Sequence, residues 1–447
     1  MLAFAIAAAV IPPSRLDAQE TPGALDRIVQ EALRENLGLA QGRWAYEQAA
    51  ARVGEARGRL LPQLALEGSY RTGHQPLNLG DFVNPAYAAL NGLLGEARFP
   101  TDLDLPLPLP YESRLRVTQP LFDPVGLAGH AAARHARDAQ REALRVAARR
   151  VAAEAQLAYV RVAEARAARQ VWEASLEVAR EAERVAQRRV ESGEATPEAV
   201  YRARADRMDI EQRLAEASEA EEAAARGFNL LLGRPIDAPV EVLPDSVLCF
   251  ELHLTANQAV ATALARREEL AQADAAVRAA GAAVRLATAN SLPRLAVALD
   301  YGFQGREVSF DSDDDFLITS LVVSWNPFSG GSERARRQGA RADLRRFELQ
   351  REELERRIRT EVLDTYEAAV TARGAMEVAE ARVEAAQRSF DLARRRYQEG
   401  LAPLIEFLDA RAALTNAELN RVRTVYRYAA RYIELERAAA LRELPIE

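Results

Sequence analysis

Two hydrophobic patterns alternate along this chain. Long stretches carry apolar residues at a spacing of seven, as at Val171, Val178 and Val185, which is typical of a coiled-coil seam. The same spacing is repeated at Val378, Ala385 and Leu392. Short stretches instead alternate apolar and polar residues, which predicts strands with one apolar face. The helices are predicted over residues 24–60, 127–192, 197–232, 256–290, about 332–399 and 404–441, and the strands over 64–70, 113–119, 295–303 and 316–325.

This order of elements occurs twice. Gly193 and Gly400 each end a long helix, and Pro197 and Pro403 each begin another, so each half is predicted to hold a helical hairpin with its tip at the glycine. The segments Leu61-Pro-Gln-Leu and Leu292-Pro-Arg-Leu also match at the start of a strand in each half. The sequence therefore predicts one unit that is duplicated. Its parts are repeat 1 (24–233), a connector (234–255) and repeat 2 (256–441), with a long loop rich in proline, leucine and glycine at 74–112.

The predicted strands are too few to form a closed structure alone. Closed membrane barrels begin at about eight strands, and open strand edges do not occur in lipid. Either the four strands form a small soluble sheet, or several chains pool their strands, and three chains would supply twelve. Four aromatic residues near strand ends fit an interfacial girdle as well as the edge of a soluble sheet: Tyr70, Tyr111, Tyr301 and Trp325. The helices likewise fit either the wall of a tube or a soluble rod.

Composition narrows the classes of partner. The formal net charge is −7 and the pI is near 5.5, so a nucleic-acid partner is not expected. The apolar start of the chain predicts a signal peptide at 1–18, although it lacks a positive charge, and a disordered apolar terminus is the alternative. The single cysteine, Cys249, excludes a disulfide framework and leaves no N-terminal cysteine for lipidation. After this apolar start, the chain contains no run of 18 apolar residues, so no membrane-spanning helix is predicted.

The sequence offers no candidate for catalysis. His130 and His135 are five residues apart and so do not share a helix face as a metal-binding pair would. The acidic run 311–315 lacks the glycine and the closing glutamate of a calcium hand. With no phosphate-binding loop and no nucleophile with a base, we predict that the protein is not an enzyme and holds no cofactor or metal.

The double repeat resembles the TolC-like outer-membrane efflux proteins over nearly the whole chain. The segments that carry the resemblance are Leu60-Leu-Pro-Gln-Leu, Gln119-Pro-Leu-Phe, Ser324-Trp-Asn-Pro-Phe-Ser-Gly-Gly, Arg396-Tyr-Gln-Glu-Gly and Leu408-Asp-Ala. The resemblance implies a mainly α protein with membrane β structure, in which long helical hairpins form an α-barrel tube. Each chain would contribute four strands to a 12-stranded β-barrel of a homotrimer in the outer membrane.

The resemblance also implies a function and partners. Such a protein is the exit duct of a tripartite efflux or type I secretion system, and its substrates pass through it passively. The duct extends through the periplasm to a periplasmic adaptor protein, which links it to an inner-membrane pump. The alternative is a periplasmic coiled-coil adaptor or scaffold without a channel.

Site residues follow from the resemblance by position. Glu406 and Asp409 stand six and nine residues after Gly400, where family members have acidic residues that line the periplasmic entrance. Threefold symmetry would bring six carboxylates together there and favour cations. Two ordinary surface charges are the alternative. The residues expected at the tips, where the adaptor binds, are Gly193, Thr196, Pro197, Gly400, Leu401 and Pro403.

The family also closes its entrance with a latch among three positions. Tyr397 matches one of them. Ala402 stands in place of an arginine, and Ala199 in place of an aspartate, with Glu198 beside it. The sequence therefore predicts that the latch of this protein differs.

Overall fold

The computed structural model describes residues 23–72, 77–104, 106–107, 109–242, 250–305 and 307–444. The predicted signal peptide at 1–18 and Cys249 lie outside these ranges. The helices are α1 (Ala24–Glu35), α2 (Leu37–Gly58), α3 (Gly80–Leu94), α4 (Pro124–Glu191), α5 (Pro197–Leu231), α6 (Ala256–Arg266), α7 (Glu268–Ala289), α8 (Ser332–Gln398) and α9 (Leu404–Ala438). The strands are β1 (Gln63–Tyr70), β2 (Leu77–Asn78), β3 (Pro106–Leu107), β4 (Tyr111–Phe122), β5 (Arg294–Gly305) and β6 (Asp315–Ser324).

The two helices predicted over 24–60 and 256–290 are each broken once, and the prediction of continuous helices was wrong. Asn36 and Arg267 have extended backbones, with ψ of 119° and 124°. Asn36 accepts a bond from the Leu39 amide at 3.1 Å and donates to the Leu231 carbonyl at 3.3 Å. The buried Arg267 pairs with Glu361. Each break is thus fixed by a side chain whose partners include a distant helix.

The segment 74–112, predicted to be a loop, contains helix α3 and the short ribbon of β2 and β3, so that prediction was wrong in part. Two asparagine amides fix the segment. Asn84 exchanges two 2.8 Å hydrogen bonds with the backbone of Leu103, and Asn91 exchanges two with Phe99, at 2.7 and 2.9 Å. The two side-chain amides supply hydrogen bonds to the backbone of residues that follow α3. They thereby hold the end of this proline- and glycine-rich segment against the helix.

The chain divides into two compact units, each built from both halves of the sequence. The first, here called the helical unit, is Met1–Arg43, Leu144–Glu268 and Glu355–Glu447. The second, called the sheet unit, is Trp44–Ala143 and Glu269–Leu354.

Alanine dominates the closest contacts of the helical unit. Ala32, Ala155 and Ala429 are fully buried in a core that also holds the rings of Tyr159 and Phe228. These two rings lie 6.0 Å apart between their centroids. Because an alanine side chain ends at Cβ, helices α1, α4, α5 and α9 can approach closely where it lies at their contacts, and the rings fill the wider gaps.

One predicted seam packs within the chain and the other does not. On α4, Val171, Val178 and Val185 pack against the buried cores. On α8, Val378 and Leu392 are 71% and 62% exposed, and Ala385 is also exposed. The buried stripe of α8 is instead Ile358, Val362, Ala369, Ala372, Ala379, Phe390 and Tyr397. Helix α8 thus has a second apolar stripe that no part of the described chain covers.

The sheet unit is built on one antiparallel sheet in the order β1-β4-β5-β6. Strand β4 comes from the first half of the chain and β5 from the second, so their pairing joins the halves. A close approach there requires glycine, since a Cβ atom at Gly302 would lie 2.1 Å from the Ser113 carbonyl oxygen. Strands β1 and β6 are the edges and have only one neighbour each in the described chain.

Candidate functional site: the sheet faces and the hairpin tips

One face of the sheet is apolar and exposed, as the alternation predicted. The register places Leu66, Leu115, Tyr301 and Leu317 in one row across the four strands. Leu66 is 81% exposed and Leu321 is 65% exposed. The other exposed apolar residues of this face are Leu64, Tyr70, Leu115, Leu299, Tyr301, Leu317 and Val323. A contiguous apolar face of this size is rare on a protein surface in contact with water, so this face requires an apolar environment.

The opposite face carries paired charges. The Arg116 guanidinium donates two bonds to Asp300, at 2.7 and 2.8 Å, across the junction of β4 and β5. Arg114 donates to Glu67 on β1 at 2.8 Å and to Glu112 at 3.2 Å. The alternation is weaker on β6, where Ile318 and Val322 share this face with Ser320. A face of this kind suits contact with water.

The aromatic residues predicted near strand ends occupy different positions. Tyr70 and Tyr111 pair at one end of the sheet, and Trp325 follows β6 at the other. Tyr111 is buried, with the Phe310 ring edge-on at 6.2 Å, and Tyr301 lies inside β5 rather than at its end. The aromatic girdle therefore stays a prediction.

Both hairpin tips of the helical unit have the same backbone turn. Gly193 and Gly400 have φ of 78° and 76°, in the left-handed region that favours glycine. Helix α5 then starts at Pro197 with Thr196 before it, and α9 starts after Pro403. Every residue of the predicted adaptor contact is exposed, and these are Gly193, Thr196, Pro197, Gly400, Leu401 and Pro403. They are accessible to a partner in the isolated chain.

Tyr397 is buried inside the second tip. Its side chain is 4% exposed and stacks on Phe407, with 5.3 Å between the ring centroids. The Arg189 guanidinium of α4 lies 5.4 Å from the centre of the Tyr397 ring and donates to the Tyr397 carbonyl at 3.2 Å. Burial raises the pKa of Tyr397, and the charge of Arg189 opposes the rise. Tyr397 therefore joins the two hairpins as a packed, neutral ring.

The two predicted entrance carboxylates lie on the outside of α9. Glu406 pairs with Arg396 at 3.3 Å, and both side chains are about half exposed. Asp409 is exposed one turn further on. An exposed pair of this kind contributes little stability, on the order of 0–1 kcal/mol. Both carboxylates are thus open to solvent in the single chain.

The alanines at the two remaining latch positions belong to the packing of the tip. Ala402 is buried, and Ala199 packs against the cluster that contains Tyr397 and Phe407. Neither can form a charged link, as the sequence predicted.

A buried polar layer lies two turns from the tip and was not predicted from the sequence. Arg411 of α9 contacts Ser175 of α4 and Asp206 of α5, at 2.9 and 2.6 Å. A signal was present, because Arg411 interrupts an apolar stripe at helical spacing. That stripe is Leu404, Phe407, Leu408 and Leu414.

The described residues include neither a membrane-spanning helix nor a metal-binding cluster. None of the helices there combines the length and the apolar character needed to cross a membrane. Within the same ranges, no three histidine, cysteine, aspartate or glutamate side chains gather in a way that could hold a metal ion.

Comparison with known proteins decides the family. The model of the outer membrane efflux protein family matches residues 28–234 and 259–441. The chain belongs to this family. Membership places the protein in the outer membrane, and the family is one of transport ducts. The resemblance identified from the sequence is confirmed.

Two curated relatives match part of the chain. Pyoverdine export outer membrane protein OpmQ of Pseudomonas putida is 30% identical over 197 residues, which are 41% of this chain and 40% of that protein. Protein CyaE of Bordetella pertussis is 29% identical over 186 residues, which are 41% of this chain and 38% of that protein. In both alignments the chain thus spans less than half of the relative's length.

Solved channel structures match nearly the whole chain. The outer-membrane channel OprN has a TM-score of 0.76 at 19% identity, covering 93% of this chain and 89% of OprN. The CmeC channel of Campylobacter jejuni has a TM-score of 0.76 at 17% identity, with 93% and 85% covered. CusC has a TM-score of 0.75 at 18% identity, with 94% and 92% covered. These likenesses confirm the predicted fold class, in which long helical hairpins are combined with four main strands per chain.

Proposed function

We propose that three copies of this outer membrane efflux protein form the exit duct of a tripartite efflux or type I secretion system. The observation that carries the proposal is the sheet, which combines an exposed apolar face with two open edges. Lipid would cover the apolar face. Neighbouring copies would pair β1 of one chain with β6 of the next, because unpaired backbone groups are too costly within a bilayer. Three sheets of four strands would form a barrel of twelve, with the charged face inside.

The helical unit supports the same assembly. The uncovered stripe of α8, with Val378, Ala385 and Leu392, has the spacing of a coiled-coil seam and suits packing against a second copy. In a periplasmic adaptor or scaffold without a channel, the apolar face of the sheet would be exposed to water. Substrates would pass through the duct passively.

The exposed residues at the hairpin tips offer a surface for a protein partner. We propose that a periplasmic adaptor protein binds the exposed tip residues, centred on Gly193 and Gly400, and connects the duct to an inner-membrane pump. The partial match to a pyoverdine export protein supports export across the outer membrane.

The assembly is tested by isolating the full-length protein from membranes. It should fractionate with outer membranes, run as a trimer that heating dissociates, and conduct ions in a planar lipid bilayer. A water-soluble monomer or dimer that never conducts would contradict the proposal.

We further propose that Glu406 and Asp409 line the narrow entrance of the duct. Three copies would place six carboxylates around one opening, and such a ring favours cations. Replacing Glu406 by Gln together with Asp409 by Asn should bring the cation-to-anion permeability ratio in a planar bilayer close to one.

A matched control removes two other tip carboxylates per chain, by Glu194→Gln with Glu399→Gln. Both residues are exposed and adjoin the tip glycines. This variant should keep most of the cation preference. If both double variants changed the permeability ratio equally, the effect would reflect total tip charge and not an entrance ring.

A further inference from the structure

Arg411 is a charged residue in the middle of a buried surface. The residue is 5% exposed although its side chain carries a guanidinium. One terminal nitrogen donates to the Ser175 hydroxyl at 2.9 Å, and the other donates to Asp206 at 2.6 Å. The Ser175 hydroxyl also lies 3.1 Å from that of Thr415. This polar layer connects α9 of the second hairpin to α4 and α5 of the first.

The polar layer is a poor source of stability. Burial, together with the nearby charge of Asp209, raises the pKa of Asp206 even though Arg411 is beside it. Two buried atoms of the pair, Nε of Arg411 and Oδ2 of Asp206, have no hydrogen-bond partner among the described residues. Buried ion pairs of this kind can often be replaced by apolar side chains without loss of stability. A contribution to folding stability therefore does not explain the presence of this polar layer.

Geometry supplies that explanation. The neighbours of Arg411 in the buried stripe, Leu404, Phe407, Leu408 and Leu414, make nondirectional contacts. A guanidinium is planar, so the hydrogen bonds from Arg411 to two different helices can both form only over a narrow range of orientations of α9. Arg411 therefore fixes the rotation of α9 about its own axis.

That rotation decides where the entrance carboxylates point. At about 100° per residue, Glu406 and Asp409 lie roughly 140° and 160° around the helix from Arg411. When Arg411 faces the first hairpin, both carboxylates face away from it. Their observed exposure agrees with this arrangement.

We infer that Arg411 is a positioning residue that directs Glu406 and Asp409 toward the entrance of the duct. The inference rests on the proposed function, because the two carboxylates matter only if they line a channel.

The test replaces the pair by apolar side chains, through Arg411→Met with Asp206→Leu. The thermal unfolding temperature of the trimer should stay close to that of the wild type. The cation preference in a planar bilayer should fall several-fold, although Glu406 and Asp409 are unchanged. The matched control is Glu222→Gln, which removes the carboxylate of an exposed pair with Arg226 on α5 and should leave the preference unchanged.

A second measurement reports position directly. A spin label attached through Asp409→Cys, in a Cys249→Ser background, should give one narrow distribution of distances among the three copies. In the apolar double variant this distribution should shift or broaden. An unchanged distribution together with unchanged selectivity would overturn the inference while the duct itself stands. A wild-type protein that does not conduct would instead refute the proposed function.

Discussion

Replacing Leu321 by arginine should abolish the heat-sensitive trimer in the outer membrane. Leu321 lies within β6, opposite Val297, on the exposed apolar face. An arginine facing lipid near the bilayer midplane costs about 2–4 kcal/mol, and the trimer would contain three of them. The total cost is comparable to the whole stability of an ordinary domain. The measurement is the amount of trimer in outer-membrane fractions, resolved by electrophoresis with and without heating.

The adjacent residue provides the control. Ser320 pairs with Ala298 on the opposite face of the same strand, which would line the water-filled interior. Ser320→Arg introduces the same charged side chain one position away, and it should leave the trimer abundant. Equal losses of trimer from the two variants would show that the faces do not divide lipid from water.

The strands could be predicted from sequence because their two faces have different surroundings. Leu115 and Val117 alternate with Arg114 and Arg116, and the structure places the two pairs on opposite faces. The ends were harder to predict. Strand β4 runs from Tyr111 to Phe122 rather than from 113 to 119, because pairing with β5 continues beyond the alternating segment.

The breaks in the helices could not be predicted from local pattern. Asn36 and Arg267 follow stretches with good helical periodicity, and each is held in its extended conformation by partners that include residues far away in the sequence. Helix α3 was missed for a related reason. Asn84 and Asn91 of α3 bind the segment that follows the helix, and these bonds to later backbone groups leave no periodic signal.

The second seam shows a different limit of sequence patterns. Helix α8 has two apolar stripes, and the stripe with Val378 and Leu392 has the clearer spacing of seven. Within the chain, however, the stripe with Ile358 and Phe390 is buried. Spacing indicates that a face is buried by some partner, but it does not tell whether that partner is the same chain or another copy.

The candidate site divides in the same way. The tip turns could be predicted because each has a left-handed backbone conformation that favours glycine, and Gly193 and Gly400 mark these positions in the sequence. Arg411 was missed, because its partners on α4 and α5 come together only in the fold. The roles of Glu406, Asp409 and Tyr397 at an entrance stay predictions, as do the bounds of the two repeats.

Glu361→Gln should destabilise the helical unit strongly, and the effect should depend on pH. Glu361 of α8 accepts hydrogen bonds from Arg267, at the break between α6 and α7, and from Arg437 of α9 at 2.6 Å. Burial opposes its ionisation, but the bonds and charges of the two arginines outweigh this and hold the pKa of Glu361 below its usual range. Removing the charge breaks the ion pair between Glu361 and the buried Arg267, and breaking a buried pair costs about 3 kcal/mol. The loss at neutral pH should lower the melting temperature of the helical circular dichroism signal by several degrees.

The sign of the pH dependence follows from the lowered pKa. The wild-type carboxylate contributes its full stability above the ordinary glutamate pKa of about 4.3, and this contribution is lost as the pH falls through the lower folded value. The difference between wild type and Glu361→Gln should therefore be large at pH 7 and shrink steadily below about pH 4. Glu384→Gln, in an exposed pair with Arg388 on the same helix, should change the melting temperature little at either pH. If the Glu361→Gln difference were as large in acid as at neutral pH, the effect would not come from the charge of Glu361, and the break at Arg267 would not depend on that charge.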